Sequence, residues 1–201
     1  MFKSTDCILI MGRRGCGKSY LAQKVQSVWP RRIILDTLGE YEEGEIVYSF
    51  HEFAEKLIQL KSSSTQNFAL IYKFDPESDM SEEEFNEVMR LSYYFGNVQI
   101  VLEEVQNFSS PHVLPKWLKN CLLTGRHQNI SVLATTQRPG ELNKTILSQC
   151  AHIFVGQINE GNDLKYISAF LNQDAKKLVS LPERRFLYFG PEGVKEISND
   201  F

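Results

Sequence analysis

Gly12-Arg13-Arg14-Gly15-Cys16-Gly17-Lys18-Ser19, entered from the apolar run Cys7-Ile8-Leu9-Ile10-Met11, governs the reading of the whole chain. It satisfies GxxxxGK[ST], the phosphate-binding loop pattern, which average glycine usage yields by chance in roughly 1 chain of this size in 100 or less. Glycines at 12, 15 and 17 let the backbone turn back so that its N–H groups point at phosphates, and the helix that begins at Lys18 adds its positive end. Lys18 is expected to reach the β and γ phosphates, and Ser19 to ligate magnesium. The competing reading is a tight glycine turn with no ligand.

The expected cofactors are therefore ATP and Mg²⁺. The expected nucleotide-contacting set is Gly12, Arg13, Arg14, Gly15, Cys16, Gly17, Lys18, Ser19 and Tyr20. Arg13 and Arg14 could face the base, the phosphates or a neighbouring subunit, with a solvated charge as the default.

Outward from this loop, apolar runs bounded by turn residues alternate with helical periodicity, which predicts an α/β fold with a mostly parallel central sheet. The expected strands are Cys7 to Met11, Arg32 to Leu35, Ile46 to Ser49, FALIYKF from Phe68, Val98 to Leu102, Ile130 to Thr135 and Ile153 to Gln157. The helix from Lys18 is expected to reach Trp29, because Pro30 cannot continue it. Phe50, Phe53, Ala54, Leu57 and Ile58 recur at helical spacing and predict one inward face. The polar tract Lys61 to Asn67 reads as a surface loop. Ser81 and Glu84 form a capping box for a helix that stops near Gly96 and Asn97. Helices are also expected over Pro115 to Thr124 and between Asn162 and Val179. A C-terminal β-hairpin turning at Pro191-Glu192-Gly193 closes the chain. Residues 1–201 read as one domain with no internal repeat.

An ATPase of this kind needs carboxylates at the tip of a neighbouring strand, and Val98-Gln99-Ile100-Val101-Leu102-Glu103-Glu104 offers two. Glu103 is the candidate on the magnesium side and Glu104 the candidate general base for the attacking water. Adjacent strand residues point to opposite faces, so both can serve only where the backbone bends. The plain alternative is an exposed acidic pair. Strand Ile130 to Thr135 runs into Thr136-Gln137-Arg138-Pro139, and Gln137 is the candidate γ-phosphate sensor because an amide both donates and accepts. The alternative is a strand-ending turn. Asp36 and Glu40-Tyr41 lie near the nucleotide, at a subunit interface, or at a turn that Asp36 caps.

Composition narrows the function classes. With 42% hydrophobic residues and a net charge of −3, the chain does not coat nucleic acid over its whole surface, so any DNA contact must be local. No apolar run approaches the roughly 20 residues that cross a bilayer, and no stable membrane insertion is expected. Cys7, Cys16, Cys121 and Cys150 form no CxxC pair and read as reduced, buried thiols of an intracellular protein.

The order GRRGCGKS, LEEVQNF, then TGRHQNISVLATTQRPGELNKTILSQCAHIFVGQI resembles the HerA/FtsK group of P-loop DNA translocases. Similarity is strong over Gly12 to Ser19 and Glu103 to Gln157, and looser at LDTLGEY, Leu35 to Tyr41. Glu103 replaces the usual Asp, and Val105-Gln106 the usual Ala-His. The resemblance implies a three-layer P-loop NTPase of the RecA/HerA-FtsK kind. It also implies a homo-oligomeric ring, hexameric or pentameric, with sites between subunits and an arginine supplied by the neighbour. Arg126 is the candidate for that role, with Arg138, Arg184 and Arg185 as competitors and a solvated side chain as the plain reading. A chain that is nearly all ATPase core resembles the minimal genome-packaging ATPases of tailless double-stranded DNA viruses. Double-stranded DNA and capsid vertex or portal proteins would then be its partners, in the host cytoplasm. Alternatives are a cellular or plasmid translocase, a phage-extrusion ATPase, a P-loop small-molecule kinase and a nucleotide-dependent scaffold without turnover.

Overall fold

The computed structural model describes residues 2–73, 81–172 and 175–198. Three buried strands form its centre: β1 (Cys7–Met11), β5 (Val98–Leu102) and β6 (Ile130–Thr136), with β6 hydrogen-bonded between the other two. Each is buried at every position, so both faces are covered and the strand lacks the alternation of a half-exposed one. Beyond β5 lie β2 (Arg31–Asp36), β4 (Phe68–Lys73) and β3 (Glu45–Val47). Beyond β1 lie β7 (His152–Val155) and the hairpin of β8 (Arg185–Gly190) and β9 (Gly193–Ser198). The sheet runs β3-β4-β2-β5-β6-β1-β7-β8-β9, parallel as far as β7 and antiparallel in the hairpin.

The helices are α1 (Lys18–Gln26), α2 (Phe50–Ser62), α3 (Glu82–Phe95), α4 (Lys116–Thr124), α5 (Lys144–Gln149), α6 (Gly161–Leu171) and α7 (Ala175–Val179). Their distribution is uneven. Leu9, Met11, Ile33, Leu35, Ile100 and Leu102 point to one sheet face, where Phe53 and Leu57 of α2, Phe85 of α3, Leu118 of α4, Ile146 of α5, Ile167 of α6 and Leu178 of α7 pack. Ile8, Ile10, Ile34, Ile71 and Val101 point to the other, where Leu21, Ala22 and Val25 of α1 pack with Tyr41, Trp29 and Phe186. Among the described residues one outer layer therefore holds six helices, and the other a single helix flanked by a loop and the hairpin. Among the described residues no helix is long and apolar enough to cross a membrane.

Several boundaries differ from expectation, each for a local reason. Helix α1 stops at Gln26 rather than Trp29, because the Ser27 hydroxyl donates to the Lys24 carbonyl at 2.7 Å and ends the turn. Strand β3 ends at Val47, since Ser49 is taken as the N-cap of α2 and accepts from the Glu52 N–H at 3.3 Å. Helix α2 absorbs Lys61 and Ser62 from the expected loop, and Ile58 faces solvent at 70% exposure rather than the core. The Ser81 cap of α3 holds through the Glu84 N–H at 3.0 Å, while the Glu84 carboxylate receives the Tyr72 hydroxyl. Phe74 lies outside the described residues, as do the last residues of the chain. Helix α5 is unanticipated, although Asn143, which accepts from the Thr145 N–H at 3.0 Å, is a legible cap.

Candidate functional site

Because β1, β5 and β6 run parallel, their carboxyl ends share one rim of the sheet. Met11 pairs with Thr136 and Leu102 with Ala134, so Gly12, Glu103-Glu104 and Gln137 all leave the sheet there. At this rim the loop from Gly12 to Gly17 is built on positive φ at all three glycines: 151° at Gly12, 79° at Gly15 and 96° at Gly17, which is the N-cap of α1. The loop is pinned on both sides, by the Gly12 N–H to the Thr136 carbonyl at 3.2 Å and the Arg13 N–H to the Gln157 carbonyl at 2.7 Å. Gln157 is therefore spent on the loop, and β7 ends at Val155.

Beneath the loop Cys16 is buried, and burial pushes its thiol pKa up, so it packs as an inert side chain. A Cβ at position 12 would lie 2.8 Å from the Cys16 Sγ and 3.2 Å from the Gly156 backbone. Gly12→Ala is therefore expected to destabilise the chain by about 1–3 kcal/mol and to abolish nucleotide binding. Chemical denaturation and fluorescent-nucleotide titration would check both.

Lys18 is 6% exposed; its ammonium donates to the Arg13 carbonyl at 3.3 Å and sits 3.9 Å from Glu104 Oε1. Glu104 itself is left-handed, φ 48° and ψ 59°, which is the bend that two adjacent acids require. Its N–H donates to Thr135 Oγ1 at 3.1 Å. Its carboxylate accepts from the Gln137 side chain at 2.8 Å, the Gln137 N–H at 3.0 Å and the Gln106 side chain at 2.6 Å. Lys18, Glu104 and Gln137 thus converge. Thr135 and Gln106 are members the sequence reading missed. Thr135 was legible as a hydroxyl ending an apolar strand, whereas Gln106 was marked only as a departure from the usual Ala-His, with no role attached.

Glu103 turns the other way. It is 1% exposed, neither carboxylate oxygen has a hydrogen-bond partner, and its own carbonyl accepts from the Thr37 hydroxyl at 3.3 Å. Burial pushes its carboxyl up to about 9, helped by Asp36 beside it and by Glu40 and Glu104. Asp36 is occupied: it accepts from the Gly39, Glu40 and Tyr41 N–H groups at 2.8, 3.1 and 3.0 Å, so it caps a turn.

Two side chains carry oxygens of the kind that ligates magnesium. Glu103 offers two buried oxygens with no donor, and the half-buried Ser19 offers a hydroxyl at the start of α1. Among the described residues no group of three or more His, Cys, Asp or Glu could hold a metal.

The remaining expected residues are scattered. Arg13 is braced within the chain, its Nε donating to Gln157 at 2.6 Å and its Nη2 pairing with Glu183 at 3.2 Å, so it is not a free contact. Arg14 is exposed. Tyr20 is half exposed, with the Lys24 ammonium 4.8 Å over its ring. Arg138 pairs with Glu141 at 2.9 Å and with the buried Asp163 at 3.4 Å. A cavity of about 250 Å³ opens between Arg13, Arg14, Gln137, Arg138, Ile158 and Asn159.

Arg126 is not at this rim. It lies in a 3-10 turn, Gly125–Gln128, whose end is held to the start of β5 by the Asn97 N–H to the Gln128 carbonyl at 2.7 Å. The length of β6 separates it from Gln137, roughly 20 Å at about 3.3 Å per residue. It is exposed and makes no ion pair among the described residues.

With β6 between β1 and β5 and the glycine loop opening α1, the chain has the fold of a P-loop NTPase. No family model matches it. Its fold is similar to that of the genome packaging NTPase B204 from Sulfolobus turreted icosahedral virus 2 in complex with ATP-gammaS: TM-score 0.77 at 20% identity, covering 97% of this chain and 98% of that one. B204, the DNA-packaging ATPase from Sulfolobus turreted icosahedral virus, gives a TM-score of 0.73 at 21% identity over 96% of each chain. A curated relative, Protein P9 of Pseudoalteromonas phage PM2, is 24% identical over 93% of this chain and 86% of its own length. The chain resembles the minimal viral genome-packaging ATPases.

Proposed function

We propose that the chain is an ATPase that drives double-stranded DNA, working as the genome-packaging motor of a virus. The observation that carries the hydrolytic part is the convergence of Lys18, Glu104 and Gln137 at the tip of the glycine loop. In this reading the loop N–H groups and Lys18 hold the triphosphate. Ser19 and Glu103 would hold a magnesium ion, which would supply charge neutralisation to the triphosphate. Glu104 takes the proton of the attacking water, which requires it to exchange a Gln106 or Gln137 hydrogen bond for one from water. The Gln137 amide, already on Glu104, reports whether the γ-phosphate is present.

The single sheet that carries every one of these residues supports one ATPase domain over residues 1–201. Arg126, on the rim opposite its own loop, can act only on a neighbouring subunit, which supports a homo-oligomeric ring. The net charge of −3 leaves DNA contact to local loops. The similarity to B204 supports packaging over other translocation tasks, with capsid vertex proteins as further partners and the host cytoplasm as the place of action.

Phosphate release measured with and without linear double-stranded DNA tests this reading. Turnover that rises with DNA supports a motor. With ADP formation followed alongside, ADP that appears only with a small-molecule acceptor, is indifferent to DNA and is not matched by released phosphate would establish a kinase instead.

A further inference from the structure

Gln106 touches the base without a part in the chemistry assigned above. Its side-chain nitrogen donates to Glu104 Oε2 at 2.6 Å. An ionised carboxylate only accepts, so the nitrogen of this amide, and not its oxygen, has to face it. The same Oε2 takes the Gln137 N–H at 3.0 Å, while Oε1 takes the Gln137 side chain at 2.8 Å and lies 3.9 Å from the Lys18 ammonium. With two donors on it, Oε2 has both lone pairs engaged. Water reaches that oxygen only when one of the two donors leaves, and a general base needs a lone pair on the attacking water.

The two donors are not equally free to go. The Gln137 N–H belongs to the backbone leaving β6, where the next N–H, that of Arg138, is held by Thr136 Oγ1 at 3.0 Å. Gln106 is a half-buried side chain on the 3-10 turn Val105–Asn107. Its Oε1 is buried with no hydrogen-bond partner, so nothing at the other end of the amide opposes its rotation away from Glu104.

The turn that carries Gln106 also opens a surface segment. Asn107, Pro111, His112 and Val113 are exposed, and between them Phe108 stacks on Phe85 of α3 with ring centroids 4.2 Å apart. Gln137 and Lys18 tie the base to the phosphate loop and its neighbouring strand. Gln106 ties it instead to the segment that follows β5, and one short turn of backbone separates that segment from the base.

We propose that Gln106 is a positioning residue that restrains hydrolysis, holding Glu104 Oε2 away from the attacking water until its amide rotates off. The inference rests on the hydrolytic reading given above and deepens it. No covalent bond changes at Gln106, and the proton still passes from water to Glu104.

The test is steady-state ATP turnover of the full chain with Mg²⁺, without and with linear double-stranded DNA. It compares wild type with Gln106→Met, Gln106→Ala, Glu104→Gln and the double variant Glu104→Gln/Gln106→Met. Met is unbranched like Gln and removes the donor and the unpartnered oxygen together. Both single variants at Gln106 are expected to raise kcat without DNA by about tenfold, the worth of one hydrogen bond to a charged group, with KM for ATP unchanged. Loss of a merely structural contact lowers kcat and does not raise it. The double variant is expected to be as inactive as Glu104→Gln, because Gln106 acts only through that carboxylate. A kcat that either Gln106 variant leaves unchanged or lowers, while Glu104→Gln is inactive, overturns the restraint and leaves the ATPase standing. So does a double variant that turns over faster than Glu104→Gln. Wild type that hydrolyses no ATP under either condition overturns the restraint together with the hydrolytic reading.

Discussion

Arg126→Ala is expected to lower ATP turnover by about 10³-fold or more, within the 10³ to 10⁵ span of a trans-acting arginine, while leaving nucleotide affinity and folding unchanged. The reason is positional. Arg126 sits in the turn before β6, at the end of the sheet away from Gly12 to Ser19, so no rotamer brings it to its own site. It is also exposed, so its loss leaves no cavity in the chain that carries it. Mixing gives the sharper readout. Lys18→Ala and Arg126→Ala chains are each inactive alone. Combined in equal amounts, they should recover turnover at about a quarter of interfaces, one half times one half, where an intact loop meets an intact arginine. Full activity of Arg126→Ala would make it a solvated surface residue and pass the role to Arg184 or Arg185. Arg138 is a weaker substitute, since Glu141 and Asp163 already hold it.

Glu104→Gln should cost about 10²- to 10⁴-fold in turnover, the usual range for a general base, and should spare ATP binding. The substituted amide keeps the side-chain volume at a position 3% exposed, so the fold tolerates it. It cannot accept a proton from water. It also turns one of the acceptor oxygens that Gln106 and Gln137 use into a donor, so the local network must rearrange. Steady-state phosphate release and an equilibrium nucleotide titration on the same protein separate the two effects. Unchanged release would remove Glu104 as the base.

The readable parts of this chain are those where local chemistry and tertiary structure agree. Strands β1 and β5 fall on their expected bounds and β6 overruns by one residue, because each is a largely apolar run flanked by turn residues and buried on both faces. The glycine loop was legible because its backbone needs glycine at three positions, each of which has positive φ. The hidden parts depend on contacts that no spacing encodes. Arg13 meets Glu183 across 170 residues of sequence, so an arginine inside the loop motif is held by the far end of the chain. Gln106 reaches Glu104 only because Glu104 is left-handed, a bend that the apolar pattern of β5 cannot announce. Ile58 fits the helical period of α2 yet lies outside the stripe that Phe53 and Leu57 bury, since periodicity gives a face but not its width. The uneven layering was equally invisible. Each helix shows an apolar face, but which side of the sheet it covers is set by the crossover connections.

The most direct test of the proposed DNA motor is displacement of a triplex-forming oligonucleotide from linear double-stranded DNA by the full chain with Mg²⁺ and ATP. Displacement is expected to follow ATP hydrolysis, to be delayed as the triplex is moved farther from the loading end, and to vanish in Glu104→Gln. Hydrolysis at full rate with the triplex left in place would contradict it.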